Sequence, residues 1–118
     1  MKEWQNAIPH EDIKHRDTLK ALLKERAYRK GHYTLSSGKE SEHYVNCKPV
    51  TLSCEGNALL SHLMLKLVEK EAVAVGGLTL GADPIVSGLI VKAALNGLEL
   101  DALITVSYTH LRAHETAT

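Results

Sequence analysis

Residues 72–84 read Ala72-Val73-Ala74-Val75-Gly76-Gly77-Leu78-Thr79-Leu80-Gly81-Ala82-Asp83-Pro84. The first seven form a short apolar run with β-branched members, closed by breakers, which predicts a buried parallel strand over 72–78. Thr79 to Ala82 predicts a loop. Asp83-Pro84 predicts a helix start, with Asp83 as N-cap acceptor and Pro at the first helical position. The strand therefore hands over to a helix through a glycine-bearing loop.

The flanking sequence extends this unit in both directions. Upstream, Ser53 is a candidate N-cap with Glu55 in the first turn. Leu59, Leu60, Leu63, Met64, Leu67 and Val68 then recur at helical spacing as an apolar stripe. Downstream, Ile85 to Leu95 is apolar nearly all round, as in a helix buried between layers, and Asn96-Gly97 ends it. Leu100 to Ile104 predicts the next parallel strand. The order helix, strand, helix, strand defines an α/β architecture with a parallel sheet. Leu63, Leu67 and Ile90 are expected in its core.

The N-terminal part has a different pattern. Residues 1–10 read as a loose leader. From Asp12, Leu19, Leu22, Leu23 and Ala27 recur at helical spacing, with Arg29 and Lys30 expected in the last turn and Gly31 as the stop. Tyr33-Thr34-Leu35 predicts a short strand and Ser36-Ser37-Gly38-Lys39 a turn. His43 to Thr51 predicts a second strand, placed at an edge or bent by Pro49.

Composition narrows the function classes. The chain has 118 residues, the length of one domain. Hydrophobic residues make up 44% and charged residues 24%, values typical of a soluble globular protein. Fourteen basic residues balance fourteen acidic ones, which gives no electrostatic case for nucleic acid or an acidic membrane as partner. No run of ~18 apolar residues predicts a membrane span, and MKEWQNAIPHEDIKHRD lacks the apolar stretch of a signal peptide. Cys47 and Cys54 do not make a disulfide framework, and a cytoplasmic protein with free thiols is expected.

Two segments could carry chemistry. In open α/β sheets ligands bind beyond the carboxyl ends of the strands. There, glycines admit close backbone approach, and helix N-terminal amides suit phosphate. Residues 79–83 fit that description, and they fit a plain strand-to-helix turn equally. Tyr33 to Asn46, YTLSSGKESEHYVN, reads either as a polar hood over a small ligand or as a solvated hairpin. Among the seven histidines, His110 and His114 have the i, i+4 spacing of a metal pair. His10, His15, His32, His43 and His62 are scattered, with His62 beside the apolar stripe as a packed or half-exposed side chain. No metal ligand set is assigned.

Residues 27–52, AYRKGHYTLSSGKESEHYVNCKPVTL, resemble the opening segment of bacterial orotate phosphoribosyltransferases, and residues 74–86, AVGGLTLGADPIV, resemble the first substrate loop of that family. The two motifs stand in the family's order and at about its spacing. The resemblance covers roughly residues 15–104 and is nearest the cyanobacterial type. It implies an incomplete type I phosphoribosyltransferase fold, with a parallel sheet flanked by helices, an N-terminal helix and a small β hood. It also implies transfer of phosphoribosyl from phosphoribosyl pyrophosphate to orotate, with Mg2+ and a homodimer. By position, Tyr44 and Val45 match orotate contacts. Ser36, where some members carry Lys, matches a contact to the phosphoribosyl donor. Leu80 and Gly81 match the loop against the pyrophosphate.

The resemblance further implies a cationic loop after the strand at 101–105, then an acidic and Thr-rich ribose-phosphate loop. Neither is present, so no catalytic residue is assigned. Instead Ile104 is followed by TVSYTHLRAHETAT. Val106 to Thr116 resembles the translation of a transposon-type sequencing adapter, so residues 1–105 are expected to form a partial domain and 106–118 a non-native tail. His110 and His114 carry no weight on that reading. The fragment itself is expected to be inactive. The alternatives are a type I phosphoribosyltransferase acting on a purine base, against which the N-terminal hood argues, and a non-catalytic regulator on the same fold.

Overall fold

The structure, a computed structural model, describes residues 12–105. The elements run α1 (Ile13–Arg26), β1 (Tyr28–Thr34), β2 (Glu40–Val45), α2 (Lys48–Thr51), α3 (Cys54–Leu65), β3 (Ala74–Leu78), α4 (Asp83–Leu95) and β4 (Asp101–Thr105). The expected leader and tail lie outside the described residues.

Helix α3 joins two apolar clusters. On one side Leu63 packs with Leu19, Leu22, Ala27 and Val50. On the other, Leu65 packs with Leu89, Ala93 and Leu100, supported by Val75 and Ile90. The N-cap expected at Ser53 is present: its Oγ accepts from the Gly56 N–H at 3.0 Å. Between α3 and α4, Asn57 Nδ2 donates to the carbonyls of Thr51 (2.9 Å) and Pro84 (3.1 Å).

The parallel pairing is as expected, with Ala74 opposite Asp101 and Leu78 opposite Thr105. The predicted burial is not. Leu78 is 78% exposed, Leu103 61% and Ile104 52%, because the described residues supply only two strands to this sheet and α4 covers only part of them. Likewise α4 buries one face, through Val86, Leu89 and Ala93, while Val91 and Leu95 are exposed. Leu67, expected in the core, is 42% exposed because α3 ends at Leu65, before it.

Four boundaries also differ. Helix α1 ends at Arg26, and Arg29, Lys30 and Gly31 belong to β1. The antiparallel register slips between Lys30 and Tyr33, the mark of a bulge at Gly31 and His32. A Cβ on Gly31 would approach the Tyr33 ring to 3.2 Å, so the glycine makes room for that ring. Arg29 still serves the helix end from the strand, its Nη1 donating to the Glu25 carbonyl at 2.9 Å. The strand expected over 33–35 thus runs from Tyr28 to Thr34. Pro49 does not interrupt a strand: β2 stops at Val45, and Pro49 lies in the first turn of α2, where its missing N–H is no loss. Asp83 is the first residue of α4 rather than its cap, which is Ala82.

The turns follow their glycines. Gly38 (φ +84°) sits in the hairpin turn, closed by Leu35 N–H to Lys39 O at 2.8 Å. Gly97 (φ +76°) ends α4, with the Leu98 N–H returning to Ala93 O at 2.9 Å.

Candidate functional site

The loop between β3 and α4 lies at the carboxyl end of a parallel strand and at a helix N-terminus. Its geometry is a tight fold-back: Ala82 N–H donates to Leu78 O (3.0 Å) and Asp83 N–H to Leu80 O (3.1 Å). The Thr79 hydroxyl lies 3.4 Å from Asp83 Oδ1. The Thr79–Leu80 peptide is cis. Gly77 permits the fold-back, since a Cβ there would lie 2.5 Å from that of Ala82. Gly81 has open space where its side chain would be, and its φ is not in the left-handed region. The glycine thus leaves open space beside the loop, and no unusual dihedral requires it.

The amides of Leu80 and Gly81 make no hydrogen bond with the described residues. Both residues are exposed, Leu80 at 76%. Two free N–H groups beside the N-terminus of a thirteen-residue helix suit an anion. Asp83 is the local carboxylate and occupies part of that positive end.

The hairpin carries the other expected residues. Tyr44 and Val45 are exposed on β2, and Ser36 is exposed in the turn. The Tyr44 ring stacks on Tyr33 with centroids 5.3 Å apart. Tyr28 stacks on His43, and Tyr28 Oη shares a hydrogen bond with His43 Nδ1. Tyr44 and Val45 are neighbours on one strand, so their side chains leave opposite faces. A planar ligand on the Tyr44 face would meet Val45 through its backbone. The structure thus brings Tyr44 and Val45 together and Leu80 and Gly81 together. Among the described residues no hydrogen bond or ring contact joins the hairpin to the loop.

A third grouping was not anticipated. His15 and His62, scattered in sequence, converge on Asp12: His62 Nε2 lies 2.8 Å and His15 Nδ1 3.3 Å from the same oxygen, Oδ1. Helical spacing relates Asp12 to His15, but nothing in the sequence points fifty residues on to His62.

The fold is that of a type I phosphoribosyltransferase, present as an incomplete copy. It superposes on the Mycobacterium tuberculosis orotate phosphoribosyltransferase solved with inorganic phosphate (TM-score 0.67, 34% identity, 80% of this chain and 55% of that one). It also superposes on a Corynebacterium diphtheriae phosphoribosyltransferase (TM-score 0.66, 31% identity, 80% and 52%). Within that class the sequence is similar to orotate phosphoribosyltransferases. The enzyme of Thermosynechococcus vestitus is 54% identical over 89 residues, which is 75% of this chain and 47% of the relative. That of Nostoc is 43% identical over 83 residues, 70% and 40%. The chain therefore spans about half the length of the curated relatives it matches. No protein-family model matches it.

Proposed function

We propose that the protein to which this chain belongs is an orotate phosphoribosyltransferase of pyrimidine synthesis. It would join orotate to the phosphoribosyl group of phosphoribosyl pyrophosphate, giving orotidine monophosphate and releasing pyrophosphate. The observation that carries this reading is the pair of amides at the exposed residues Leu80 and Gly81, without a hydrogen-bond partner among the described residues and held at the carboxyl end of β3 beside the start of α4. On this reading the anion is the pyrophosphate of the donor, which the likeness to orotate phosphoribosyltransferases supports. Tyr44, backed by Tyr33, offers a flat face to the planar orotate ring, with Val45 beside it. Ser36 offers a hydroxyl to the donor.

Magnesium belongs to the same reading. It takes oxygen ligands and is usually held by one or two carboxylates plus substrate phosphates. Beside the loop the chain offers one carboxylate, Asp83, and the Thr79 hydroxyl. The ion would therefore be held chiefly by the donor's phosphate oxygens, where it neutralises their charge. A cytoplasmic homodimer also belongs to this reading. No helix of the described residues is long and apolar enough to cross a membrane.

The 118-residue chain carries no cationic loop after β4 to stabilise the leaving pyrophosphate. Alone it is expected to show no turnover, and extended with the family's remaining half it is expected to consume orotate. The assay follows orotate absorbance with magnesium and phosphoribosyl pyrophosphate. An extended protein that leaves orotate unchanged but uses a purine base overturns the substrate assignment. Residues 106–118 are read as foreign to the domain, supported by the adapter-like VSYTHLRAHET. Deleting residues 109–118 should leave the unfolding free energy within ~0.5 kcal/mol of the parent, measured by denaturant unfolding.

A further inference from the structure

The start of α1 is tied to α3 by a carboxylate shared between two imidazoles. Asp12 is 4% exposed, and its buried Oδ2 has no hydrogen-bond partner among the described residues. Its Oδ1 receives both His62 Nε2 and His15 Nδ1, and the two rings meet edge to face with centroids 5.0 Å apart. One oxygen is thus doubly engaged while its buried twin is unused, a wasteful arrangement for a plain ion pair. The three donor atoms lie within 4.8 Å of one another.

We propose that Asp12, His15 and His62 form a binding site for a zinc-type divalent transition metal, clamping the start of α1 to α3. A tetrahedral ion with ligand bonds of about 2.0–2.2 Å sets its ligands roughly 3.3–3.5 Å apart. The 3.3 Å between His15 Nδ1 and Asp12 Oδ1 already matches. The 2.8 Å to His62 needs a modest opening, or a switch to the free Oδ2. On binding, each neutral imidazole presents the lone pair of its facing nitrogen and carries its proton on the other ring nitrogen. A protonated imidazole releases one proton to solvent. The carboxylate is already in its ligating form: the hydrogen bond from His62 holds its pKa below the ordinary value, against the upward pull of burial, with His15 and Lys66 adding to the lowering.

Two imidazoles and one carboxylate favour zinc, nickel or cobalt over magnesium or calcium, which prefer oxygen alone. The half-exposed His15 leaves solvent access for a fourth ligand, water. The site is separate from the β3–α4 loop: Ser61 faces Gly88 of α4, while the next residue, His62, faces α1. It does not depend on the proposed transferase activity.

The test uses the 118-residue protein with His110 and His114 replaced by Ala, stripped of metal by chelator, then titrated with Co2+ and with Zn2+ against a chromogenic chelator. Expected are one equivalent bound, the visible bands of tetrahedral cobalt, and a Tm raised by several degrees in saturating zinc. His15→Ala keeps the His62–Asp12 bond and so should stay folded, but should lose more than about tenfold in affinity, as should His62→Gln. Absence of the one-equivalent binding, or binding unchanged in His15→Ala, overturns the proposal and leaves an ion pair that only ties two helices.

Discussion

Gly88 of α4 lies directly against Asn57 of α3: a Cβ on the glycine would come within 2.2 Å of Asn57 Oδ1 and 2.5 Å of Ser61 Oγ. The two helices approach this closely because the glycine has no side chain, and the approach lets Asn57 reach the Pro84 carbonyl at 3.1 Å. Gly88→Ala should therefore push Asn57 out of register and lower stability by ~1–3 kcal/mol, read as a lower midpoint in urea. An unchanged midpoint would show that the helices separate at no cost.

Asn57→Ala removes the bonds to Thr51 and Pro84 and should cost about 1–2 kcal/mol. It also clears part of the space that a residue 88 methyl would occupy, leaving the close approach to Ser61 Oγ. The double variant should thus be less destabilised than the sum of the single ones. Strict additivity in the cycle would mean that the two residues do not act through one contact.

Gly77 and Gly81 should separate folding from binding. A methyl at Gly77 would strike Ala82, so Gly77→Ala is expected to destabilise by ~1–3 kcal/mol. A Cβ on Gly81 would meet nothing within 4 Å, and Gly81→Val should change stability by less than ~0.5 kcal/mol. If the proposed function holds, the same Gly81→Val in the extended protein should raise the donor KM, since the branched side chain would stand where that reading places the anion. Normal kinetics for Gly81→Val would reduce the loop to a structural turn.

Ser53 both accepts from Gly56 N–H and donates to Val50 O at 2.8 Å. Ser53→Ala should cost about 1 kcal/mol, while Ser53→Asp should recover most of that through the cap. Thermal unfolding of the three proteins checks the order. An alanine variant as stable as the parent would mean that water replaces the cap without penalty.

Features decided within a few residues were legible in the sequence: the Ser53 cap, the Gly38 and Gly97 turns, and the alternation of α3, β3, α4 and β4. Partners far apart in the chain were not. Gly31 reads as a helix stop because periodicity cannot see β2, whose pairing draws Tyr28 to Lys30 into a strand and leaves the glycine at a bulge. Pro49 breaks a strand pattern and starts a helical turn equally well, and only the packing of Val50 against Leu63 decides between them. The apolar pattern of β3 and α4 reports surfaces made to be covered, not surfaces that the described residues cover. That is why Leu78, Val91 and Leu95 read as buried and are exposed. The loop at 79–83 could be located from its glycines and Asp-Pro, whereas its two free amides could not. The meeting of His62 with Asp12 left no local trace at all.

Strands β3 and β4 pair with each other alone among the described residues, and Leu78, Leu103 and Ile104 are exposed beside that ladder. A strand rim with unpaired backbone groups and uncovered aliphatic side chains is a template for other copies of the same chain. As concentration rises, copies would add edge to edge and grow into assemblies with no closing symmetry. In a cell, chaperones and proteases would compete for such a rim wherever it stays uncovered, and the rate of their capture would set how long a chain exposing it persists.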